Sequence, residues 1–130
     1  MSDTEKNVML LLSCEAHVQN LKRLVEKDNS WFSFLQCFKE DNTNKMKLRL
    51  ENLRLTVRYM TNVEIKNNIL SYTNEIGRKV NEGIEENREA IEKLSDKLLT
   101  YIVENTNRMK RNPADALDKN IFYNKNKFKL

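Results

Sequence analysis

The amino-acid sequence predicts an all-α protein in which short N-terminal helices are followed by one long coiled-coil-type helix. Three observations favour this fold class. The 130 residues include one proline and two glycines, which leaves few positions for the sharp turns of a sandwich, a barrel or an alternating α/β fold. Apolar residues recur at steps of three or four along much of the chain, as on one face of a helix. With 39% hydrophobic and 32% charged residues, the chain supplies little core for a lone sphere.

The composition also limits where the chain can act. Its longest apolar run, residues 8–12, is far shorter than a membrane-spanning helix and lacks both a cationic flank and a signal-peptide cleavage site. Cys14 and Cys37 stand 23 residues apart, without the CxxC spacing of a redox or zinc motif. We therefore expect a soluble cytoplasmic or nuclear protein with reduced thiols.

A first helix is expected to begin at the N-terminus. Ser2 and Glu5 have the spacing of a capping box, in which the hydroxyl and the carboxylate satisfy amide donors at a helix start. An apolar stripe then continues to about Lys27. Its members are Val8, Leu11, Cys14, Val18, Leu21 and Val25. The aromatic segment at residues 30–40 predicts a short helix that covers the first one and forms a local core.

The segment at residues 45–59 carries two periodicities. A heptad pattern is formed by Met46, Leu50, Leu53, Val57 and Met60. An alternating pattern, typical of two strands, is formed by Met46, Leu48, Leu50, Leu53, Leu55, Val57 and Tyr59. A hairpin would turn at Glu51 and Asn52, where glutamate resists the positive φ that a two-residue turn requires. We predict a helix here, because the segment is rich in strong helix formers, with a β-hairpin at 45–59 as the alternative.

The strongest pattern lies in the C-terminal half. Its members, each three or four residues from the next, are Ile65, Ile69, Tyr72, Ile76, Val80, Ile84, Asn87, Ile91, Leu94, Leu98, Ile102, Asn105 and Met109. Thr61 and Glu64 repeat the capping-box spacing, which predicts a helix start near residue 61. The stripe passes Gly77 and Gly83 without a change of phase, so we predict one continuous helix over residues 61–111.

Net charge alternates in blocks along the chain. Residues 1–44 have five basic and seven acidic side chains, and residues 45–79 have eight and three. Residues 80–109 have four and seven, and residues 110–130 have six and two. Complementary blocks favour lateral pairing of helices. A turn near Gly83 would fold the basic block onto the acidic one, and the resulting compact four-helix bundle is the alternative fold.

A continuous helix over residues 62–110 would be about 70 Å long, longer than a small domain is wide, and therefore predicts pairing with partner helices. The partner belongs to a second copy or to a different protein. The predicted partner interface consists of Ile65, Ile69, Tyr72, Ile76, Val80, Ile84, Ile91, Leu94, Leu98 and Ile102. Asn87 and Asn105 lie on the same stripe, where a polar residue either fixes the register of a coiled coil or sits just beside the seam.

The last segment is a basic, aromatic tail. Asn112 and Pro113 end the helical pattern, because proline disfavours helix in the residue before it. The candidate docking residues of the tail are Phe122, Tyr123, Lys125, Lys127, Phe128 and Lys129. This composition is that of a solubilising terminus, of a segment that docks into an acidic apolar groove, or of a binder of single-stranded nucleic acid or acidic membranes.

No catalytic residue, metal ion or cofactor is expected. His17 is the only histidine, and Cys14 lies one helical turn before it, but no acid or amide that would orient such a pair is recognisable. The sequence contains neither a phosphate-binding glycine loop nor the pattern of a calcium loop. We therefore do not expect an enzyme.

These features divide the chain into three regions. Residues 1–60 are expected to form a helical head, residues 61–111 the long helix, and residues 112–130 a flexible tail. Such a chain suits a non-enzymatic subunit or adaptor that assembles a cytoskeletal, chromosome-segregation or trafficking complex through helix–helix pairing. The alternatives are a compact bundle that binds a partner peptide helix and a nucleic-acid-binding protein that uses the basic tail. No motif is specific enough to indicate a family.

Overall fold

The structure, a computed structural model, describes residues 2–27 and 42–112. All regular secondary structure in these ranges is helical, so the predicted all-α class is confirmed. The four helices are α1 (Asp3–Lys27), α2 (Asn42–Val57), α3 (Val63–Glu82) and α4 (Ile84–Arg111). The helix expected at residues 30–40 and the tail beyond Asn112 lie outside the described residues.

Helices α1 and α2 follow their apolar patterns. The backbone N–H of Glu5 donates to Ser2 Oγ at 3.1 Å, so the hydroxyl half of the predicted capping box is confirmed. The α1 stripe is buried from Leu11 onward. The segment at 45–59 is helical through Val57, and the alternative β-hairpin is wrong there. Its heptad residues Met46, Leu50, Leu53 and Val57 are all buried.

The start of α3 differs from the prediction by one residue. Asn62, not Thr61, caps the helix, because its Oδ1 accepts from the backbone N–H of Ile65 at 3.0 Å. Thr61 instead bonds to Asn7 of α1. The Asn7 Nδ2 donates to Thr61 Oγ1 at 2.8 Å, and the Thr61 backbone N–H donates to Asn7 Oδ1 at 3.1 Å. The connection between α2 and α3 is thereby fixed to the first turns of α1.

The predicted continuous helix over residues 61–111 is correct at Gly77 and wrong at Gly83. Gly83 has a φ of 131°, in the range that favours glycine, and it separates α3 from α4. Its N–H donates to the carbonyls of Lys79 and Val80, both at 3.2 Å. The unbroken apolar phase concealed this turn, because the one-residue connection keeps a four-residue step between Val80 and Ile84.

Packing joins the helices into a ring. Helix α1 contacts α2 and α4, and α3 contacts α2 and α4. Neighbouring helices are antiparallel: the start of α1 bonds to the residues that follow α2, and Arg54 Nε near the end of α2 donates to Asn74 Oδ1 in the middle of α3 at 3.2 Å. Lys22 of α1 pairs with Asp96 of α4 at 2.6 Å. One cluster of buried apolar side chains draws on all four helices, so the core spans residues on both sides of position 60.

None of these four helices combines the length and the apolarity that crossing a bilayer requires.

Candidate protein-binding surface

The residues predicted to bind a partner helix lie inside the ring. Tyr72 and Leu94 are half-buried, and the other eight are buried. The buried eight are Ile65, Ile69, Ile76, Val80, Ile84, Ile91, Leu98 and Ile102. They form one cluster with buried side chains of α1 and α2, among them Leu21 and Leu53. The stripe does pack helix against helix, but the helices that cover it belong to the same chain.

The two asparagines on that stripe also bond within the chain. Asn87 Nδ2 donates to the carbonyl of Gly83 at 2.9 Å, which supports the turn between α3 and α4. Asn105 Nδ2 donates to the carbonyl of Tyr101 at 2.8 Å, within its own helix. Both amide groups therefore satisfy local backbone carbonyls.

A second apolar stripe faces outward on α2. Leu48, Leu55 and Tyr59 are 60%, 44% and 60% exposed. Spacings of seven and four residues place them on one helical face, and the turn continues past Val57 because the backbone N–H of Arg58 donates to the Arg54 carbonyl at 3.2 Å. We call these three residues the outer stripe.

The outer stripe explains the two periodicities of this segment. On a helix, the heptad residues of α2 form its buried face, while Leu48, Leu55 and Tyr59 form the opposite face. The alternating pattern therefore indicated a helix with apolar residues on two sides. The outer stripe could have been found from the sequence by testing whether the apolar residues outside the heptad pattern also have helical spacing.

Cationic side chains flank both ends of the outer stripe. Helix α2 contains a single acidic residue, Glu51, and its carboxylate pairs with Arg54 at 3.3 Å. Lys45 and Arg49 stand within one turn of Leu48. At the other end, the Arg58 guanidinium lies 6.0 Å from the centroid of the Tyr59 ring. An apolar surface with this border favours a partner that carries negative charge beside its own apolar residues.

A groove between α1 and α2 continues from the outer stripe at Leu48. Its volume is about 400 Å³. The lining residues are Asn20, Arg23, Leu24, Lys45, Leu48 and Arg49, and we call this the cationic groove. Three of the six are basic, two are leucines and none is acidic. The Arg23 guanidinium donates to Asn20 Oδ1 at 3.2 Å, which orients it along α1.

The positive potential of Arg49 extends to a histidine of α1. Burial lowers the pKa of His17 below its ordinary value of 6.5, and the charge of Arg49 lowers the pKa further. Arg49 lines the cationic groove together with Asn20 and Arg23 of α1, so its charge acts across the interface between α1 and α2.

A second groove lies between α3 and α4 and has a different chemistry. Its volume is about 490 Å³, and its walls include Tyr72, Glu75 and Tyr101. The two tyrosine rings are 6.2 Å apart between centroids, and Asn68 Nδ2 donates to Tyr101 Oη at 2.9 Å. Burial raises the pKa of the Tyr101 hydroxyl. The only charged residue that lines this groove in the described ranges is Glu75, and its carboxylate pairs with Arg78.

Cys14, one of the two residues considered for catalysis, is a buried free cysteine of α1. Burial raises the pKa of the Cys14 thiol to about 12, so the thiol stays protonated at neutral pH and does not supply the nucleophilic thiolate. In the ranges 2–27 and 42–112, no group of three or more His, Cys, Asp or Glu side chains is arranged to hold a metal ion. Cys37 lies outside the described residues.

The six candidate docking residues of the tail, Phe122, Tyr123, Lys125, Lys127, Phe128 and Lys129, also lie outside the described residues.

Comparisons with models of protein families, with curated proteins and with solved structures find no match to this chain.

Proposed function

We propose that this chain is a non-enzymatic helical subunit or adaptor that assembles a multiprotein complex through helix–helix pairing. In this proposal its four helices form a compact four-helix bundle, and the surface of the bundle binds a helix of the partner. The break at Gly83, which ends α3 and begins α4, supports the bundle over a long rod that pairs along residues 61–111. Cytoskeletal, chromosome-segregation and trafficking complexes use helical subunits of this kind, which is an analogy of fold alone.

The observation that carries the proposal is the exposure of the outer stripe. Leu48, Leu55 and Tyr59 leave about half of their side-chain surface in water, although α2 already buries a full apolar face. Contiguous exposed apolar residues bordered by polar ones are typical of protein interfaces. Anchors that recur along one helical face are the pattern by which helices dock on helices and grooves.

The compact bundle is tested on the purified chain. Light scattering and small-angle X-ray scattering are expected to give a monomer with a radius of gyration near 14 Å, the value for a globule of about this length. An elongated dimer would contradict the bundle and restore the long helix as the pairing element.

The assembly itself is tested in the cells that produce the protein. We expect the wild-type chain to elute from a cell extract in a species larger than the free monomer. Leu55→Glu should return it to the monomer position, since contact with an apolar partner surface would strip water from an unpaired carboxylate. Asn67→Glu, at an exposed site on α3, is the matched control and should leave the larger species intact. A wild-type chain that elutes only as free monomer would contradict the proposal.

A further inference from the structure

The surface formed by the outer stripe and the cationic groove is continuous, because Leu48 belongs to both. The outer stripe extends over twelve residues, from Leu48 to Tyr59, and the eleven steps between its ends correspond to about 16 Å along a helix axis. A docked helix of three turns or more would cover this length. The cationic groove then lies at one end of the footprint, between the last turns of α1 and the first turns of α2.

The chemistry of the groove selects the charge of its occupant. Arg23, Lys45 and Arg49 line the groove together with the aliphatic side chains of Leu24 and Leu48. Carboxylates accept charge-assisted hydrogen bonds from arginine and lysine, and the bidentate fit to arginine adds geometric specificity. An acidic side chain of a docked helix would therefore find donors at this end, while its leucine or phenylalanine neighbours would pack on Leu24 and Leu48.

The same groove is poorly suited to nucleic acid or to a lipid surface. Binders of single-stranded nucleic acid stack bases on aromatic rings, and none of the six lining residues is aromatic. A membrane surface is flat and wide, whereas these cations line a recess of about 400 Å³ between two helices. The recess and the adjoining apolar stripe match a helical peptide.

We infer that this surface binds an acidic amphipathic helix of a partner protein, with its apolar face on Leu48, Leu55 and Tyr59 and its carboxylates on Arg23, Lys45 and Arg49. This inference rests on the proposed function, which it deepens by stating the chemistry of the partner. In this complex the apolar contacts supply most of the affinity. The charged contacts select the partner and fix its orientation.

The test uses the full chain and a synthetic probe. The probe is an 18-residue fluorescent peptide helix with leucines on one face and glutamates along both edges. A second peptide carries glutamine in place of glutamate, and a third has the same composition in scrambled order. We expect the glutamate peptide to bind, the glutamine peptide to bind at least about tenfold more weakly, and the scrambled peptide not to bind. Binding of the glutamate peptide should weaken as salt is raised.

Variants of the chain locate the site. The substitutions Lys45→Glu and Arg49→Glu should each lower the affinity for the glutamate peptide by about tenfold, because each reverses a charge at the groove. Lys47→Glu makes the same charge change at an exposed position of α2 that does not line the groove, and it should have little effect. Circular dichroism should show the same helix content in all three variants.

Three patterns of binding would overturn the inference. If the glutamine peptide binds as tightly as the glutamate peptide and Leu55→Glu abolishes both, helix docking stands but the acidic partner does not. If a single-stranded oligonucleotide or phosphatidylserine vesicles bind more tightly, with the same response to Arg49→Glu, the ligand is not a protein helix. If the peptide binds only after residues 28–41 are replaced by a glycine-serine linker of equal length, the occupant is the chain's own connection between α1 and α2.

Failure of the inference and failure of the proposed function are separable. The peptides report on the charge and the helical form of the ligand, whereas the size of the native species in extracts reports on assembly. If the glutamate peptide does not bind but the native complex forms and is lost in Leu55→Glu, the acidic helix is contradicted and the assembly role is supported.

Discussion

Two apolar stripes on this chain differ in burial. The stripe of α3 and α4 is the longer and more regular one, and the chain's own helices cover it completely at positions such as Ile91 and Leu98. The outer stripe of α2 is short and mixed with charges, yet Leu48 and Tyr59 remain exposed. The comparison teaches that regularity of an apolar pattern predicts burial but does not tell which polypeptide provides the cover. A partner surface is better sought among apolar residues that remain after the core has been accounted for.

The largest expected effect follows from this contrast. Leu98→Asp places a carboxylate in the core, at a position with no exposed surface, and should lower the free energy of unfolding by at least about 4 kcal/mol. Leu55→Asp makes the same chemical change on the outer stripe and should alter the free energy of unfolding by less than about 1 kcal/mol. Urea titration followed by circular dichroism measures both.

The outcome also separates the bundle from the rod. In a rod that pairs with an absent partner, the chain alone would tolerate Leu98→Asp, because Leu98 would face solvent until the partner bound. Equal, small effects of the two substitutions on the isolated chain would therefore contradict the structure.

The two glycines offer a second comparison, with opposite expected signs. Gly83→Ala should destabilise the fold by about 1–3 kcal/mol, because a φ of 131° is strained for a residue with a side chain and the added methyl would meet the Glu86 carboxylate. Gly77→Ala lies inside α3, where the new Cβ would stand 3.0 Å from the end of the flexible Arg54 side chain. Since that end can shift, higher helix propensity should leave Gly77→Ala neutral or more stable by up to about 1 kcal/mol.

Thermal unfolding of the two alanine variants beside the wild type checks these signs. A continuous helix over residues 61–111 requires both substitutions to stabilise, because alanine exceeds glycine by about 1 kcal/mol in a helix interior. Stabilisation by Gly83→Ala would thus show that the turn is absent in solution.

The success of sequence reasoning differed between levels of the structure. The helical class, the cap at Ser2 and the helix end at Asn112 were predictable, because capping chemistry and proline geometry act within a few residues. The turn at Gly83 was not, because a one-residue connection preserves the apolar spacing on which the prediction relied. The step from Thr61 to Asn62 as the cap was also not predictable, since it depends on Asn7, which is distant in sequence.

The candidate site was the least predictable part. The residues of the outer stripe were visible in the alternating pattern, but their exposure depends on which face of α2 the other three helices cover. The cationic groove joins Arg23 of α1 to Arg49 of α2 across an interface, and no local pattern places them together. Tertiary packing determines where such sites form. A single sequence indicates this packing only through the helix faces that are apolar.

The smallest expected effect concerns the charge at the cationic groove. His17 is half-buried on α1, and its pKa should lie below 6.5 because burial and the charge of Arg49 both disfavour the imidazolium. Arg49→Gln should raise the pKa of His17, yet leave it below 6.5, since burial is the larger of the two causes. Titration of the imidazole C–H signals by NMR spectroscopy measures both values.

The same shift fixes the sign of a pH dependence. The folded state binds the His17 proton less readily than the unfolded chain, so this group does not reduce stability above the unfolded pKa near 6.5. As pH falls below that value, the unfolded chain gains the proton first, and the free energy of unfolding decreases until the folded pKa is passed. His17→Gln should remove this acid-side decrease, and Arg49→Gln should reduce it. An identical His17 pKa in the wild type and in Arg49→Gln would show that the Arg49 charge does not act on α1 across the cationic groove.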